Sequence, residues 1–303
     1  MADPPAGGCM TMGAGTLLHL SDTHFGTAQP KVIEALVRLV RMHAPGQAIL
    51  SGDVTQRATG AQFAEARAFV DRLAIAHCMA IPGNHDIPLL DLPARLFQPY
   101  ARYRAAFGDV LAPELQTPAW CLLSNNTTRW YRHKHGEISH AQIADTARRL
   151  AVSVQANPLQ IRVVAVHQPI AVQQAGERKN MLRGAASAVK AWAAAGADIV
   201  LGGHIHLPFV VPLHRRAPWL PATPNGAAPR PMWAVQAGTA VSSRTRPGAP
   251  NSVNLLRADC TATRRRCAVE RWDYLADADA FVLVHTDLLE LAAPLSEHTS
   301  NSF

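Results

Sequence analysis

Cys78-Met79-Ala80-Ile81-Pro82-Gly83-Asn84-His85-Asp86 is a short apolar run that breaks at Pro-Gly and then delivers an amide, an imidazole and a carboxylate in succession. Apolar residues bounded in this way read as a buried strand followed by a tight loop. The pattern has two precedents upstream. Leu17-Leu18-His19-Leu20 ends at Ser21-Asp22-Thr23-His24, and Ala48-Ile49-Leu50 ends at Ser51-Gly52-Asp53. Helical periods separate them. Pro30 opens a stretch with Val32, Ile33, Leu36, Val37, Leu39 and Val40, and over 61–73 the residues Phe63, Ala66, Phe69, Val70 and Leu73 share one face. Strand, helix, strand, helix, strand predicts a layered α/β sheet with right-handed crossovers.

Downstream, residues 92–107 read as helix interrupted by Pro93 and Pro99. Trp120–Ser124 reads as a strand, and Ser139 caps a helix running through Ile143 to Leu150. Ile161–Val166 is a buried-type strand ending at His167. Residues 185–195 read as a helix, and Asp198–Leu201 as a strand ending at Gly202-Gly203-His204-Ile205-His206. Strand patterns follow at 209–211, 233–236, 253–256, 267–274 and 281–284, around a proline-containing loop at 215–231. One domain over 16–285, with tails at 1–15 and 286–303, is the simplest division.

The chain has 303 residues, 48% hydrophobic and 17% charged, which excludes disorder for most of its length. The net charge of +7 comes mostly from arginine. Composition bias accounts for most of these arginines, and attraction to anions for a few. Five cysteines without a C-x-x-C pair suggest free thiols rather than a disulfide framework. Cys260 and Cys267 are placed to face each other across a hairpin, with Arg264–Arg266 at its tip. No stretch reaches the ~20 apolar residues of a membrane span. Residues 1–15 lack the basic start and apolar core of a signal peptide, so a cytoplasmic protein is expected.

Five strands thus end in metal-binding chemistry: Asp22 and His24, Asp53, Asn84 and His85, His167, then His204 and His206. Ligands bind at the carboxyl ends of strands in open α/β sheets, so five such tips point to one site. A mixed oxygen and imidazole set without thiolates suits Mn, Fe or Zn. Seven candidate ligands exceed the needs of one tetrahedral ion and suit two ions sharing a carboxylate, which together activate water and stabilise in-line displacement at phosphorus.

The set Asp22-Thr-His24, Gly52-Asp53, Gly83-Asn84-His85-Asp86, His167 and Gly203-His204-Ile-His206 resembles the calcineurin-like metallophosphoesterase superfamily. The likeness covers 17–206, and within the superfamily the chain is similar to bacterial class III cyclic-nucleotide phosphodiesterases. The resemblance implies a four-layer α/β/β/α sandwich. It implies Asp22, His24 and His206 on one metal, Asn84, His167 and His204 on the other, and Asp53 as the bridge. It places His85 beside the leaving group, as proton donor or electrostatic stabiliser. The implied reaction is in-line attack of a metal-bridging hydroxide on a phosphodiester, with a cyclic nucleotide such as cAMP as substrate. One spelling departs: His167-Gln168-Pro169 stands where many class III members have two histidines before proline, and related nucleases share the His-Gln form.

The remaining candidates have plainer readings. His19, inside the first strand, packs. His133 and Lys134 belong to a solvated loop, with an anion-binding rim as the alternative. Asp86 stabilises its turn and orients His85. Arg57, Arg244 and Arg246 are exposed by default, with phosphate contact as the alternative. The rivals for function are hydrolysis of a lipid pyrophosphate, a glycerophosphodiester or single-stranded nucleic acid, and a non-catalytic scaffold. The dispersed arginines disfavour nucleic acid. The composition leaves the oligomeric state open.

Overall fold

The computed structural model describes residues 15–216 and 230–293. The tail expected before residue 16 and most of the 215–231 loop lie outside them. In chain order the elements are β1 (Thr16–Leu20), α1 (Pro30–His43), β2 (Gln47–Leu50), α2 (Gly60–Leu73), β3 (His77–Ala80), α3 (Leu92–Phe97), α4 (Ala101–Phe107), β4 (Glu114–Gln116), β5 (Trp120–Ser124), α5 (His140–Ala156), β6 (Ile161–Ala165), α6 (Ala185–Ala194) and β7 (Ile199–Gly202). Then come β8 (Phe209–Pro212), α7 (Leu213–Arg216), β9 (Trp233–Gln236), β10 (Ser252–Thr261), β11 (Arg264–Leu275) and β12 (Ala280–Glu290).

Two six-stranded sheets result, ordered β12-β11-β10-β1-β2-β3 and β4-β5-β6-β7-β9-β8. Period-two alternation explains how each strand serves two layers. Leu17 points between the sheets with Ile49, Trp120, Leu122, Val163 and Leu201. Leu18 and Leu20 face outward under α1 and α2. On the second sheet, Cys121, Leu123, Val164 and Val166 turn away to pack beneath α5 and α6. The order is therefore helix, sheet, sheet, helix, the expected four-layer sandwich. β1, β2 and β3 run parallel, as do β5, β6, β7 and β9, so each sheet gathers its carboxyl ends along one edge.

Local chemistry sets the boundaries. Pro30 occupies the first turn of α1, and the Ser139 side chain accepts from the Gln142 N–H in a capping box at the start of α5. The helix expected to end at Leu150 continues to Ala156.

Three readings change near the C-terminus. β12 runs to Glu290, past the boundary expected at 285, because it is an edge strand pairing only with β11. Its central residues are largely exposed, so they carry no apolar alternation. Cys260 and Cys267 do not face each other: they oppose Arg265 and Ala258, and both thiols are free. Arg265 is not at a tip. It is 1% exposed and pairs with the buried Asp198, beside Arg162, while donating to the carbonyl oxygens of Gln160 and Ala292.

Candidate metal centre

All eight predicted site residues converge where the two sheets' carboxyl edges meet. Asp22 and His24 follow β1, Asp53 follows β2, and Asn84 and His85 form a short 3-10 turn after β3. His167 follows β6, and His204 and His206 follow β7. Asp22, His24 and His206 bring donor atoms within 4.8 Å of one another, and so do Asp53, His167 and His204. His206 Nε2 lies 3.2 Å from Asp22 Oδ1 and 3.1 Å from His24 Nε2. Asp53 stands between the groups: Oδ2 is 3.8 Å from His24 Nε2, and Oδ1 is 3.3 Å from His167 Nε2. One carboxylate thus presents an oxygen to each side.

The backbone is bent to make this convergence. Asp22, His24, Asp53, His204 and His206 all adopt positive φ, between 41° and 74°. The left-handed region costs non-glycine residues about 1–3 kcal/mol each and persists where the surroundings over-determine it. Close approach also requires glycine. A Cβ on Gly203 would lie 1.8 Å from Ser21 Oγ and 2.5 Å from Asp22 Oδ2.

Outer groups aim the rings. His167 Nδ1 donates to the Ser51 carbonyl at 2.8 Å, and His206 Nδ1 to the Arg244 carbonyl at 2.5 Å. A carbonyl only accepts, so Nδ1 carries a proton and Nε2 is the nitrogen turned inward. His85 Nδ1 likewise donates to the Gln56 carbonyl at 3.0 Å, and the His85 ring stands edge-on to His24 at 4.9 Å. Asp86 fastens the loops together. It accepts from the backbone N–H groups of Val54, Thr55 and Gly83 at 2.8–3.0 Å, and from the Thr55 hydroxyl. His19 is wholly buried against Ser51 Oγ, away from the cluster.

The electrostatics favour ligation. Burial alone would raise Asp22 and Asp53, but the nearby charges of His206 and His167 outweigh it and hold both below the usual carboxylate range. Burial pushes His24 and His204 down to about 3, so both stay neutral. His167 moves the other way: burial opposes its charge, yet the adjacent Asp53 carboxylate lifts it to about 9.

The donor atoms also fit metal ions. Asp22 Oδ1, Asn84 Oδ1, His167 Nε2 and the ring nitrogens of His204, one of which can serve an ion, are buried without a hydrogen-bond partner. So many orphaned polar atoms at one spot cost several kcal/mol unless a cation satisfies them. Oxygen and imidazole donors without thiolate suit Mn, Fe or Zn.

Asp53, Asn84, His85, His204 and His206 open onto a cavity of about 480 Å³. Lys134 and His133 line it from an exposed loop, as the sequence suggested. Burial and the nearby charges of His85, Arg95, Lys134 and Arg57 hold His133 below the ordinary imidazole range. Arg244 and Arg246 also line the cavity, whereas Arg57 stands outside it. Arg244 Nη1 donates to Gln56 Oε1 at 2.7 Å, and Arg246 pairs with Glu177. Glu177, Asn180 and Thr245 complete the wall. Sequence reasoning passed over these three because no periodicity or motif surrounds them.

The calcineurin-like phosphoesterase family profile matches residues 15–208. No curated protein sequence matches the chain. A dimetal phosphatase from Danio rerio superposes with a TM-score of 0.61 at 11% identity, covering 92% of this chain and all of the other. A purple acid phosphatase from yellow lupin (Lupinus luteus) seeds gives 0.62 at 14% identity, covering 91% of this chain and 53% of the other. At these identities the two likenesses establish the fold.

Proposed function

The chain belongs to the calcineurin-like phosphoesterase family, and from that premise we propose that it cleaves a phosphodiester, with a 3′,5′-cyclic nucleotide such as cAMP as substrate. It is a metal-dependent phosphoric ester hydrolase whose cofactor is a pair of Mn, Fe or Zn ions. The observation that carries the finer reading is Asp53, which offers one oxygen to each of two donor groups at the floor of a cavity with Lys134 and Arg244 on its wall.

Asp22, His24 and His206 would hold one ion, and Asn84, His167 and His204 the other, with Asp53 shared. When bound, the pair supplies Lewis acidity toward phosphoryl oxygens and acidifies water at neutral pH. The chain's own groups do the rest. Lys134 and Arg244 attract the phosphate anion, and the carbonyls of Ser51 and Arg244 keep His167 and His206 in register. His85 stands against His24 with its Nδ1 proton held by the Gln56 carbonyl. With Nδ1 so engaged, the Nε2 edge is left for the departing oxygen, as proton donor or electrostatic stabiliser.

A phosphomonoester is the second reading, suggested by the two phosphatases that share the fold. Ile205 is the only aliphatic side chain among the described residues of this wall. A cytoplasmic setting belongs to the same proposal and rests on the free thiols of Cys78, Cys121, Cys260 and Cys267. No helix of the described residues is long and apolar enough to cross a membrane.

The test is hydrolysis by metal-stripped protein refilled with Mn, Fe or Zn, against cAMP, bis(p-nitrophenyl) phosphate, a glycerophosphodiester, p-nitrophenyl phosphate and single-stranded DNA. Turnover of cAMP is expected. Turnover of the monoester alone would reject the diester reading. Asp53→Ala is expected to lose activity and bound metal together; a fully active variant would rule out a shared carboxylate.

A further inference from the structure

The catalytic cavity has a side branch. Glu177 and Ile205 line both it and a second hollow of about 190 Å³. That hollow in turn shares Gln173, Pro208, Phe209 and Arg271 with a third of about 340 Å³. The three hollows therefore adjoin one another in a row that starts at the candidate metal centre beside Ile205, between His204 and His206, and follows β8.

The charges along this branch are already matched. Glu177 pairs with Arg246. Arg271 is clamped by Asp273 through hydrogen bonds of 2.9 and 2.7 Å. Among the described residues of the second hollow, Glu177 and Arg271 are the charged ones, so no free cation remains there for a second phosphate. The other walls are apolar (Ile205, Leu207, Pro208 and the ring of Phe209), with the amides of Gln173 and Gln174 at the exposed edge. A ring face and amides beside neutralised charges suit a planar, uncharged group with hydrogen-bonding edges.

We infer that this branch is a specificity subsite for the nucleoside of a single-phosphate diester, with the base against Phe209 and its edge toward Gln173 and Gln174. The inference rests on the phosphodiesterase reading above and adds the substrate's uncharged half to it. It also separates a mononucleotide diester from a nucleic-acid strand, whose next phosphate would find no free cation among the described residues there.

Two esters with the same leaving group test it in the Mn-loaded enzyme: thymidine 5′-(p-nitrophenyl phosphate) and methyl p-nitrophenyl phosphate. Base-aromatic stacking contributes ~1–3 kcal/mol, so the nucleoside ester is expected to have a kcat/KM at least about fivefold higher. Phe209→Ala is expected to lower that ratio about fivefold. Gln174→Trp, at an exposed position, is expected to lower it also, by obstructing the hollow without disturbing the core. An unchanged ratio in both variants, or an equal fall for both esters, overturns the subsite while leaving phosphodiesterase activity established. Failure of the wild type to cleave either ester overturns both.

Discussion

Gly83→Ala isolates how tightly the loops after β2 and β3 are pressed together. Gly83 has an ordinary extended backbone, φ −97° and ψ −178°, so alanine meets no conformational penalty. The obstacle is steric. A Cβ there would lie 2.0 Å from the Asp53 backbone nitrogen, 2.2 Å from Asp53 Oδ1 and 2.8 Å from Asp53 Cα. Ordinary contact begins near 3.4 Å, so Asp53 and Gly83 must part by more than 1 Å. That motion also pulls on the Gly83 N–H bond to Asp86 and the His85 N–H bond to Asp53 Oδ1, both 2.8 Å. A displacement of about 1 Å at a catalytic group costs on the order of 100-fold in rate, or ~2.7 kcal/mol of transition-state stabilisation. Overpacking adds ~1–3 kcal/mol of destabilisation. The assay is steady-state hydrolysis of bis(p-nitrophenyl) phosphate at saturating Mn, with bound metal counted and urea melts recorded. Gly60→Ala is the control, because a Cβ there touches nothing within 4 Å. A folded Gly83→Ala protein with activity within threefold of wild type would refute the reasoning.

His85→Ala is expected to keep both metals and to lose most of kcat for esters with poor leaving groups, while p-nitrophenyl esters suffer less; loss of metal would instead make His85 a ligand. The metal-free protein is expected to lose stability as pH falls from 6.5 toward 3. His19, His24 and His204 are held at about 3 when folded, so over that window the unfolded chain binds protons that the folded chain cannot. The depressed Asp22 and Asp53 act in the same direction. His167, raised to about 9, opposes them, because its contribution is complete below 6.5 and is lost as pH rises through 9. Urea midpoints at pH 7 and pH 4.5 check the net sign, and an equal or higher midpoint at pH 4.5 contradicts it. Asp198→Ala strands the buried Arg265 and Arg162 guanidinium groups and is expected to cost about 3–5 kcal/mol, read as a lower urea midpoint; a shift under about 1 kcal/mol would mean that the backbone carbonyls suffice for both arginines.

Much of the architecture was legible because strand alternation and helical period are local. Leu17 to Leu20 announce a two-faced strand, and Pro30 and Ser139 announce helix starts. The edge strand β12 was foreshortened because an exposed strand needs no apolar alternation. Arg265 was misplaced because arginine ordinarily sits outside, and only Asp198, 67 positions away, makes its burial tolerable. The site divides in the same way. The donor types were readable at each strand tip, since glycine turns bring the backbone close to a shared centre. Glu177, Asn180 and Thr245 belong to stretches whose composition carries no period, so nothing nearby marks them as cavity wall.

By itself the sequence determined the alternation of strands and helices, the imidazole and carboxylate chemistry at five strand ends, and, through the motifs these spell, the family to which they belong. The tertiary structure decided which donors meet, such as His24 with His206 across 182 positions, and which oxygen of Asp53 faces each group. It also decided that five ligand candidates sit at positive φ and that a neutralised hollow adjoins the cavity beside Ile205. The physical reason is range. Periodicity and turn chemistry act over a few residues, whereas the opposition of two sheets and the charge balance of a cavity exist only once distant segments have packed.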